Sequence, residues 1–355
     1  MDWGPEYPVE QADASFLGEG DGDHASYFVS TAGDVNADGY DDMLVAAPHN
    51  SEAAYMAGQV YLILGKPDAD WGLNHSLSQA DASFLGEFAQ DRAGRSAAGV
   101  GDVNGDGFAD WLIGSILNDE GGSDAGQAYL ILGRAAADWG ADVPLSQADA
   151  SFVGEAAEDE LGRRVAGAGD VNGDSLDDLI IAASRHDEAG VDSGEAYLLL
   201  GRAAADWGSG YPMAQANASF LGENALDQAG RRVSSAGDFN DDGYGDLIVG
   251  APHCSRSGDA AGCAYLVFGR AVVDWEQSYP LEDDDVIYVG EEALDVAGYD
   301  VASAGDVDGD GKDDFLVGAY GGRLDKALDD LEPVDGWSMG SASAGRGYVI
   351  FSHAG

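Results

Sequence analysis

Acidic and amide side chains at alternating positions form the most chemically distinctive stretch of the sequence, residues 34–42 (DVNADGYDD). Side-chain oxygens stand at its positions 1, 3, 5 and 9, which are Asp34, Asn36, Asp38 and Asp42. The alternation turns successive oxygens toward one centre, Gly39 at position 6 permits a sharp turn, and Tyr40 at position 7 can offer its backbone carbonyl. Ligands that are all oxygen, several of them carboxylates, favour Ca²⁺ over Zn²⁺ or Cu²⁺, and over Mg²⁺, which prefers a small octahedral cage with waters. We therefore interpret this stretch as a calcium-binding loop.

The loop occurs five times, and each copy starts 68 residues after the previous one. The five copies are 34–42, 102–110, 170–178, 238–246 and 306–314. In the last four copies the expected ligands at positions 1, 3, 5, 7 and 9 are Asp102, Asn104, Asp106, Phe108 and Asp110; Asp170, Asn172, Asp174, Leu176 and Asp178; Asp238, Asn240, Asp242, Tyr244 and Asp246; and Asp306, Asp308, Asp310, Lys312 and Asp314. The third copy has Ser175 where glycine is expected, and serine is strained in that backbone conformation, so we expect a weaker site there. One such loop could be a solvated acidic turn, but the regular copies predict about five bound Ca²⁺ ions.

The segments that must hold these loops are short apolar runs bounded by glycine and aspartate. Each 68-residue unit contains four of them, which in the fourth unit are 217–223, 230–237, 246–252 and 262–269. Runs of this length rich in Val, Leu, Ile and Tyr are typical of β-strands, and no long window shows helical periodicity. Four-stranded units that repeat radially form a β-propeller. The sequence therefore predicts one all-β domain over residues 1–355, a five-bladed propeller of four-stranded antiparallel blades, with an insertion in the last blade around 320–345.

The chain begins and ends at different runs of the repeat, and this difference predicts how the ring closes. The chain starts with the fourth run of a blade (14–18) and ends with the third run of the last blade (348–352). An N-terminal strand that completes the last blade would leave no unpaired edge at either end. The rival interpretations are an open array and a fragment of a larger propeller.

The calcium loop and the strand that follows it, GDVNADGYDDMLVAAP (33–48) and GDFNDDGYGDLIVGAP (237–252), resemble the FG-GAP repeats that form the blades of the integrin α-subunit head. The resemblance extends over nearly the whole chain. It implies calcium in the loop between strands 1 and 2 of each blade, and ligand binding on the opposite face. The integrin head has seven blades, whereas this sequence has five repeats. The Phe-Gly element of the family is also altered here, for example to Leu161-Gly162. No partner subunit or inserted domain is recognisable, so integrin ligand specificity cannot be carried over.

The charge of the chain excludes some classes of partner. With 66 Asp and Glu against 16 Lys and Arg, the net charge is −50. Contacts to nucleic-acid phosphates and to anionic lipid need clustered basic residues, so we expect neither partner. No run of 18 apolar residues predicts a membrane span, and the N-terminal residues do not resemble a signal peptide. The acidic excess is typical of salt-adapted surfaces or of a soluble secreted domain.

Two cysteines and the calcium loops indicate the compartment. Cys254 and Cys263 flank the hairpin between strands 2 and 3 of the fourth blade, where they could form a disulfide or remain two partly buried thiols. A disulfide requires an oxidising compartment, and millimolar calcium is also found outside the cell. We therefore expect an extracellular or cell-surface protein, with this chain a fragment of a longer one.

Candidate ligand-binding residues are few, and they lie away from the calcium loops. Arg95, Arg163 and Arg231 share one position at the start of strand 1 and could form a basic spot at the channel mouth, or pair with nearby acids. Trp337 lies in the irregular insertion and is the best single candidate for contacting a ligand. We expect the scattered histidines, His186 among them, to be solvated loop residues, and the tryptophan of each repeat to pack between blades.

The sequence therefore predicts a calcium-binding extracellular adhesion or recognition module in which calcium is mainly structural. Its ligand would be a protein or glycan on the face opposite the calcium loops; the oligomeric state stays open. No nucleophile or paired acid motif predicts an enzyme. The alternatives are a rigid or self-assembling surface subunit without a small ligand, and a lectin or glycan-directed enzyme.

Overall fold

The computed structural model describes residues 8–67, 71–272, 274–275, 277–284, 286–321 and 345–352. Within them the chain is all-β, and its helical residues form five single 3₁₀ turns at Val9–Gln11, Leu77–Gln79, Leu145–Gln147, Met213–Gln215 and Leu281–Asp283. No helix in this part of the chain is long and apolar enough to span a membrane.

The strands recur with the period of the sequence. In chain order they are β1 (Phe16–Leu17), β2 (Phe28–Gly33), β3 (Asp42–Ala47), β4 (Gln59–Ile63), β5 (His75–Ser76), β6 (Ala82–Leu85), β7 (Ala93–Gly101), β8 (Asp110–Ser115), β9 (Gln127–Ile131), β10 (Val143–Pro144), β11 (Ala150–Val153), β12 (Arg164–Gly169), β13 (Asp178–Ala183), β14 (Glu195–Leu199), β15 (Tyr211–Pro212), β16 (Ala218–Leu221), β17 (Arg232–Gly237), β18 (Asp246–Ala251), β19 (Cys263–Val267), β20 (Tyr279–Pro280), β21 (Val286–Val289), β22 (Ala297–Gly305), β23 (Asp314–Ala319) and β24 (Arg346–Ile350).

The described strands form six sheets, most of which share one plan. Their orders are β2-β3-β4-β6-β10, β7-β8-β9-β11-β15, β12-β13-β14-β16-β20, β17-β18-β19-β21, β22-β23-β24 and β1-β5. In the full plan four strands pair antiparallel, and a two-residue strand from the next repeat then pairs parallel with the fourth. The first strands of successive sheets contact one another, from β2 through β7, β12 and β17 to β22. Multiple antiparallel sheets stacked in this way fit the propeller prediction.

The core lies between the sheets, and this explains why the second strands are apolar throughout. In β13, Ile180 and Ala182 pack into the cluster shared with the fourth sheet, whereas Leu179 and Ile181 pack into the cluster shared with the second sheet. Alternate residues of a strand point to opposite faces, so a strand buried on both faces must be apolar at every position. The repeat tryptophans belong to the same core: Trp275 meets Phe220 of the preceding sheet edge-on, with ring centroids 5.6 Å apart. The predicted role in packing between blades is confirmed for Trp139, Trp207 and Trp275.

Ring closure is the part of the fold prediction that depends on the first and last strands. The last sheet has three described strands, and β1 pairs with β5. The described pairings include none between β1 and β24, so closure of the ring by the N-terminal strand stays a prediction. On the last sheet Leu316 and Val349 are 40% and 44% exposed, whereas their neighbour Phe315 is buried against the fourth sheet.

Candidate calcium loops and the opposite face

The five candidate calcium loops connect the first and second strands of successive sheets, beginning with the β2–β3 connection. In the first loop, the two carboxylate oxygens of Asp34 accept hydrogen bonds from the backbone N–H groups of Asp38 and Gly39, at 3.0 and 2.8 Å. Asn36 Oδ1 accepts a second bond from the Asp38 N–H, at 2.9 Å. The other four loops repeat the bonds from positions 5 and 6 to the carboxylate at position 1. Backbone and side chains therefore wrap around one centre in every copy.

The aspartate at position 9 has a structural role that the ligand pattern alone does not reveal. Asp42 is fully buried; its Oδ2 accepts from Val35 N–H at 2.9 Å, and its Oδ1 accepts from Gly65 N–H at 2.7 Å, just after β4. The equivalent residues make the same two kinds of bond; they are Asp110, Asp178, Asp246 and Asp314. This side chain ties the start of the loop to the end of the third strand. Each oxygen keeps a second lone pair that a cation could use.

The donor set of these loops fits a hard divalent cation. In the fifth loop, carboxylate oxygens of Asp306, Asp308 and Asp314 lie within 4.8 Å of one another. Burial raises the pKa of Asp110 to about 7, and the charges of Asp106 and Asp102 add to this against two backbone hydrogen bonds. Carboxylates gathered this closely repel one another, and Ca²⁺ would offset the repulsion with oxygen ligands alone.

The third loop differs from the others in backbone strain, as its sequence predicts. Ser175 has φ of 71°, and the glycines at the same position have φ between 89° and 93°. A side chain is disfavoured in this left-handed region because its Cβ crowds the backbone.

The sequence profile described as the FG-GAP repeat matches residues 27–63, 161–199 and 229–260. Each matched segment includes the first strand of a unit, its candidate calcium loop and its second strand. The chain carries FG-GAP repeats.

The curated relatives are mainly integrin α chains. The FG-GAP chain is 29% identical to integrin alpha-V of Gallus gallus over 228 residues, which cover 62% of this chain and 19% of that protein. It is 28% identical to integrin alpha pat-2 of Caenorhabditis briggsae over 164 residues, 42% of this chain and 12% of that protein. It is also 30% identical to phosphatidylinositol-glycan-specific phospholipase D of Dictyostelium discoideum over 159 residues, 44% of this chain and 16% of that protein. The matched parts span less than a fifth of these relatives.

The face opposite the loops holds the connections between strands 2 and 3 of the FG-GAP units. There Cys254 and Cys263 form a disulfide with a Cα–Cα distance of 5.6 Å. The residues at the same two positions of the first three units are Asn50 and Gln59, Asn118 and Gln127, and His186 and Glu195. The expectation that His186 is solvated is wrong: it is 8% exposed, because its ring lies against Asp159 and Glu195 inside the turn.

The three arginines of the predicted basic spot have different partners in the structure. Arg163 is buried and pairs with Glu160, which also pairs with Arg185 at 3.0 Å; the alternative of pairing with nearby acids therefore holds for Arg163. Arg95 stacks over Tyr27, 4.7 Å from its ring centroid, and Arg231 over Tyr299, at 5.7 Å.

The second arginine of each Arg-Arg pair, Arg164 or Arg232, also lies near Arg95 on this side. Burial lowers the pKa of Arg164 to about 10, and the nearby positive charges of Arg232 and Arg95 lower it further, against the charge of Asp300. Arg232 forms an ion pair with Asp300 at 3.1 Å. The sequence shows Arg164 and Arg232 directly after two of the predicted arginines, at 163–164 and 231–232, but only the first of each pair is a predicted ligand-binding residue. Trp337 lies outside the described residues.

Proposed function

We propose that this chain is a calcium-stabilised recognition module, an integrin-α-like propeller that binds a macromolecular ligand outside the cell. The observation that carries the proposal is the recurrence of one oxygen-rich loop, with one hydrogen-bond plan, at the same connection of five successive units. The integrin names of its relatives and the Cys254–Cys263 disulfide support an extracellular role.

Calcium would act mainly on stability. Each ion would neutralise carboxylates that otherwise repel at the junction of two strands. An ion that binds only the folded state stabilises it by about 2.7 kcal/mol per site at a hundredfold excess over Kd. Residues at positions 1, 3 and 5 would hold the ion, joined by the carbonyl at position 7 and the carboxylate at position 9.

The ring would close as five blades, and the sheet inventory supports this. The described part of the chain has one two-stranded sheet, β1-β5, and one three-stranded sheet, β22-β23-β24. The β1-β5 pairing is the same parallel pairing that joins β6 to β10 in the full sheets. Adding β1 and β5 to the last sheet gives it the same five strands as the complete ones, and six sheets become five blades.

The ligand would bind on the face opposite the calcium loops, where strand connections differ most between units. That face carries the cluster of Arg95, Arg164 and Arg232 in a chain of net charge −50. An acidic group on a protein or glycan is the chemistry such a cluster would select. We propose no enzymatic role for the chain.

A self-assembling surface subunit is the second candidate. The observation in its favour is the exposed outer face of the last sheet, where Leu316 and Val349 stand side by side in register. If the ring does not close over that face, another copy could pack against it.

Native mass spectrometry of calcium-loaded and EDTA-treated protein, with melting followed in parallel, tests the proposal. We expect five bound Ca²⁺ ions and a large fall in melting temperature on chelation. Few bound ions and an unchanged melting temperature would mean that the aspartates are only a solvated acidic surface. Light scattering with and without calcium then separates a monomeric recognition module from a self-assembling subunit.

A further inference from the structure

One pair of positions is filled in three different ways in the first four FG-GAP units, and the third unit fills it with ionisable groups. In the fourth unit the pair is the Cys254–Cys263 disulfide. In the first, Asn50 and Gln59 are linked through the Tyr61 hydroxyl, by hydrogen bonds of 3.4 and 3.0 Å. Each of these arrangements fastens the end of the second strand to the start of the third without a charge. The third unit has His186 and Glu195 instead.

Asp159 fixes the orientation of the His186 imidazole. Its Nδ1 lies 3.1 Å from Asp159 Oδ2, so the Nε2 atom points the other way, toward two carboxylates. Nε2 is 3.2 Å from Glu195 Oε2 and 3.6 Å from Glu188 Oε2. Glu195 is 1% exposed, whereas the Glu188 side chain is 53% exposed. A histidine that binds a metal ion commonly donates its other ring N–H to a carboxylate in this way.

Neighbouring side chains hold the two carboxylates in place. The hydroxyl of Ser219 donates a hydrogen bond to the buried Glu195 carboxylate, and the buried Tyr197 hydroxyl lies beside the same carboxylate. Glu188 Oε2 accepts a hydrogen bond of 2.9 Å from Ser278 Oγ of the next unit, which holds the exposed carboxylate in place.

We propose that His186 Nε2, Glu195 and Glu188 bind one Zn²⁺ ion, with Asp159 orienting the histidine. Ligand atoms about 2.0–2.1 Å from a tetrahedral zinc ion lie about 3.3–3.4 Å apart, close to the observed separations of 3.2 and 3.6 Å. A nitrogen ligand distinguishes this site from the all-oxygen calcium loops on the other face. The exposed Glu188 leaves one side of the site open to solvent, where a water molecule would complete the coordination. The ion would fasten the positions that the fourth unit joins by a disulfide, and this site does not depend on the recognition role proposed above.

The competing arrangement is a protonated His186 held between carboxylates with no metal. Zinc titration by calorimetry distinguishes the two, on metal-stripped protein resupplied with saturating Ca²⁺ at high salt, which suppresses adventitious binding to the acidic surface. We expect one Zn²⁺ per chain and a higher melting temperature with zinc. No bound zinc, or zinc without a change in melting temperature, would overturn the proposal.

The chain supplies a matched control. The double variant His186→Asn/Glu195→Gln carries the pair already present in the first two units, so we expect the fold and the calcium count to be kept and zinc binding to be lost. Zinc binding equal to that of the parent would overturn the site. If this variant does not fold, Glu188→Gln at an exposed position serves instead, and Asp159→Asn should weaken binding by about 10–100-fold, as a change to an orienting carboxylate does.

The second unit allows the reverse test. It already has Asp91 and Glu120 at the positions of Asp159 and Glu188. Asn118→His/Gln127→Glu should therefore raise the stoichiometry to two Zn²⁺ ions per chain. A stoichiometry that stays at one would refute the claim that these four positions make the site.

Discussion

The Oδ1 atom of Asp110 accepts a hydrogen bond of 2.8 Å from the backbone N–H of Gly133, which lies 23 residues further along the chain. The other oxygen of the same buried carboxylate accepts from Val103 N–H at 3.0 Å. One side chain at the end of a candidate calcium loop thus ties together the loop and two strand ends. Loss of this residue should therefore have consequences that differ from the loss of a ligand exposed in the loop.

We expect Asp110→Ala to destabilise the protein with or without calcium, because two buried backbone N–H groups lose their acceptor. Each unsatisfied group costs about 1–3 kcal/mol, so the free energy of unfolding should fall by about 2–6 kcal/mol in EDTA. Asp106→Ala changes an exposed residue of the same loop and should lower stability mainly when calcium is present. Urea unfolding of both variants in EDTA and in calcium provides the comparison.

The calcium count of the two variants is the accompanying check. Each should bind one Ca²⁺ ion fewer than the parent in native mass spectrometry. If Asp106→Ala is as destabilising in EDTA as Asp110→Ala, the distinction between a structural and a ligand-only aspartate is wrong.

Backbone strain at position 6 of the third loop predicts a reciprocal pair of substitutions. Ser175→Gly removes a side chain from a residue with φ of 71° and should raise the free energy of unfolding by about 0.5–1 kcal/mol, after the larger chain entropy of glycine in the unfolded state is subtracted. Gly107→Ser should lower it by a similar amount, because no atom stands within 4 Å of the added Cβ and only the backbone conformation resists. Thermal unfolding at saturating calcium measures both. Equal stabilities for parent and variants would show that the loop relaxes around either residue.

The disulfide of the fourth unit can be compared with its neighbours by substitution. Cys254→Ala/Cys263→Ala opens a loop with a sequence separation of 9 and should cost about 2–3 kcal/mol of stability. Cys254→Asn/Cys263→Gln installs the pair of the first two units and should recover part of that loss through hydrogen bonds to Tyr265. Denaturant unfolding of the two variants measures the difference. An Asn/Gln variant no more stable than the Ala/Ala variant would contradict the idea that these pairs do the same job.

Sequence reasoning succeeds here where the signal is periodic and local. The apolar run at 178–183 becomes β13, because a strand between two sheets must be apolar on both faces. It fails for His186, because a histidine in a turn has no periodic signal that separates exposure from burial. A comparison of equivalent positions in the repeats could have indicated its burial, because the 68-residue step places His186 and Glu195 at the positions of Cys254 and Cys263. It is also silent on two-residue strands such as β5, which owe their pairing to the neighbouring sheet rather than to their own residues.

Ring closure makes a prediction that depends on register. In the first and third units Leu62 lies opposite Ala82, and Leu198 opposite Ala218. The same register would place Ala14 opposite Val349 if β1 completes the last sheet. Opposed residues of antiparallel strands have Cα atoms about 4.5–5.5 Å apart, within reach of a disulfide. We therefore expect Ala14→Cys/Val349→Cys to form an intramolecular disulfide under dilute, mildly oxidising conditions, detected by non-reducing electrophoresis and peptide mass mapping.

The control pair keeps one cysteine and moves the other out of register. Tyr320 is exposed just beyond the opposite end of β23, so Ala14→Cys/Tyr320→Cys should not cross-link within one chain if β1 is fixed beside β24. A disulfide in both variants would indicate a loose N-terminal segment rather than a strand in register. Cross-linked dimers in place of the intramolecular bond would instead show that the outer face of the last sheet meets a second copy, because Val349 would then be covered by another chain. That result would shift the proposal from a closed recognition module to the self-assembling subunit.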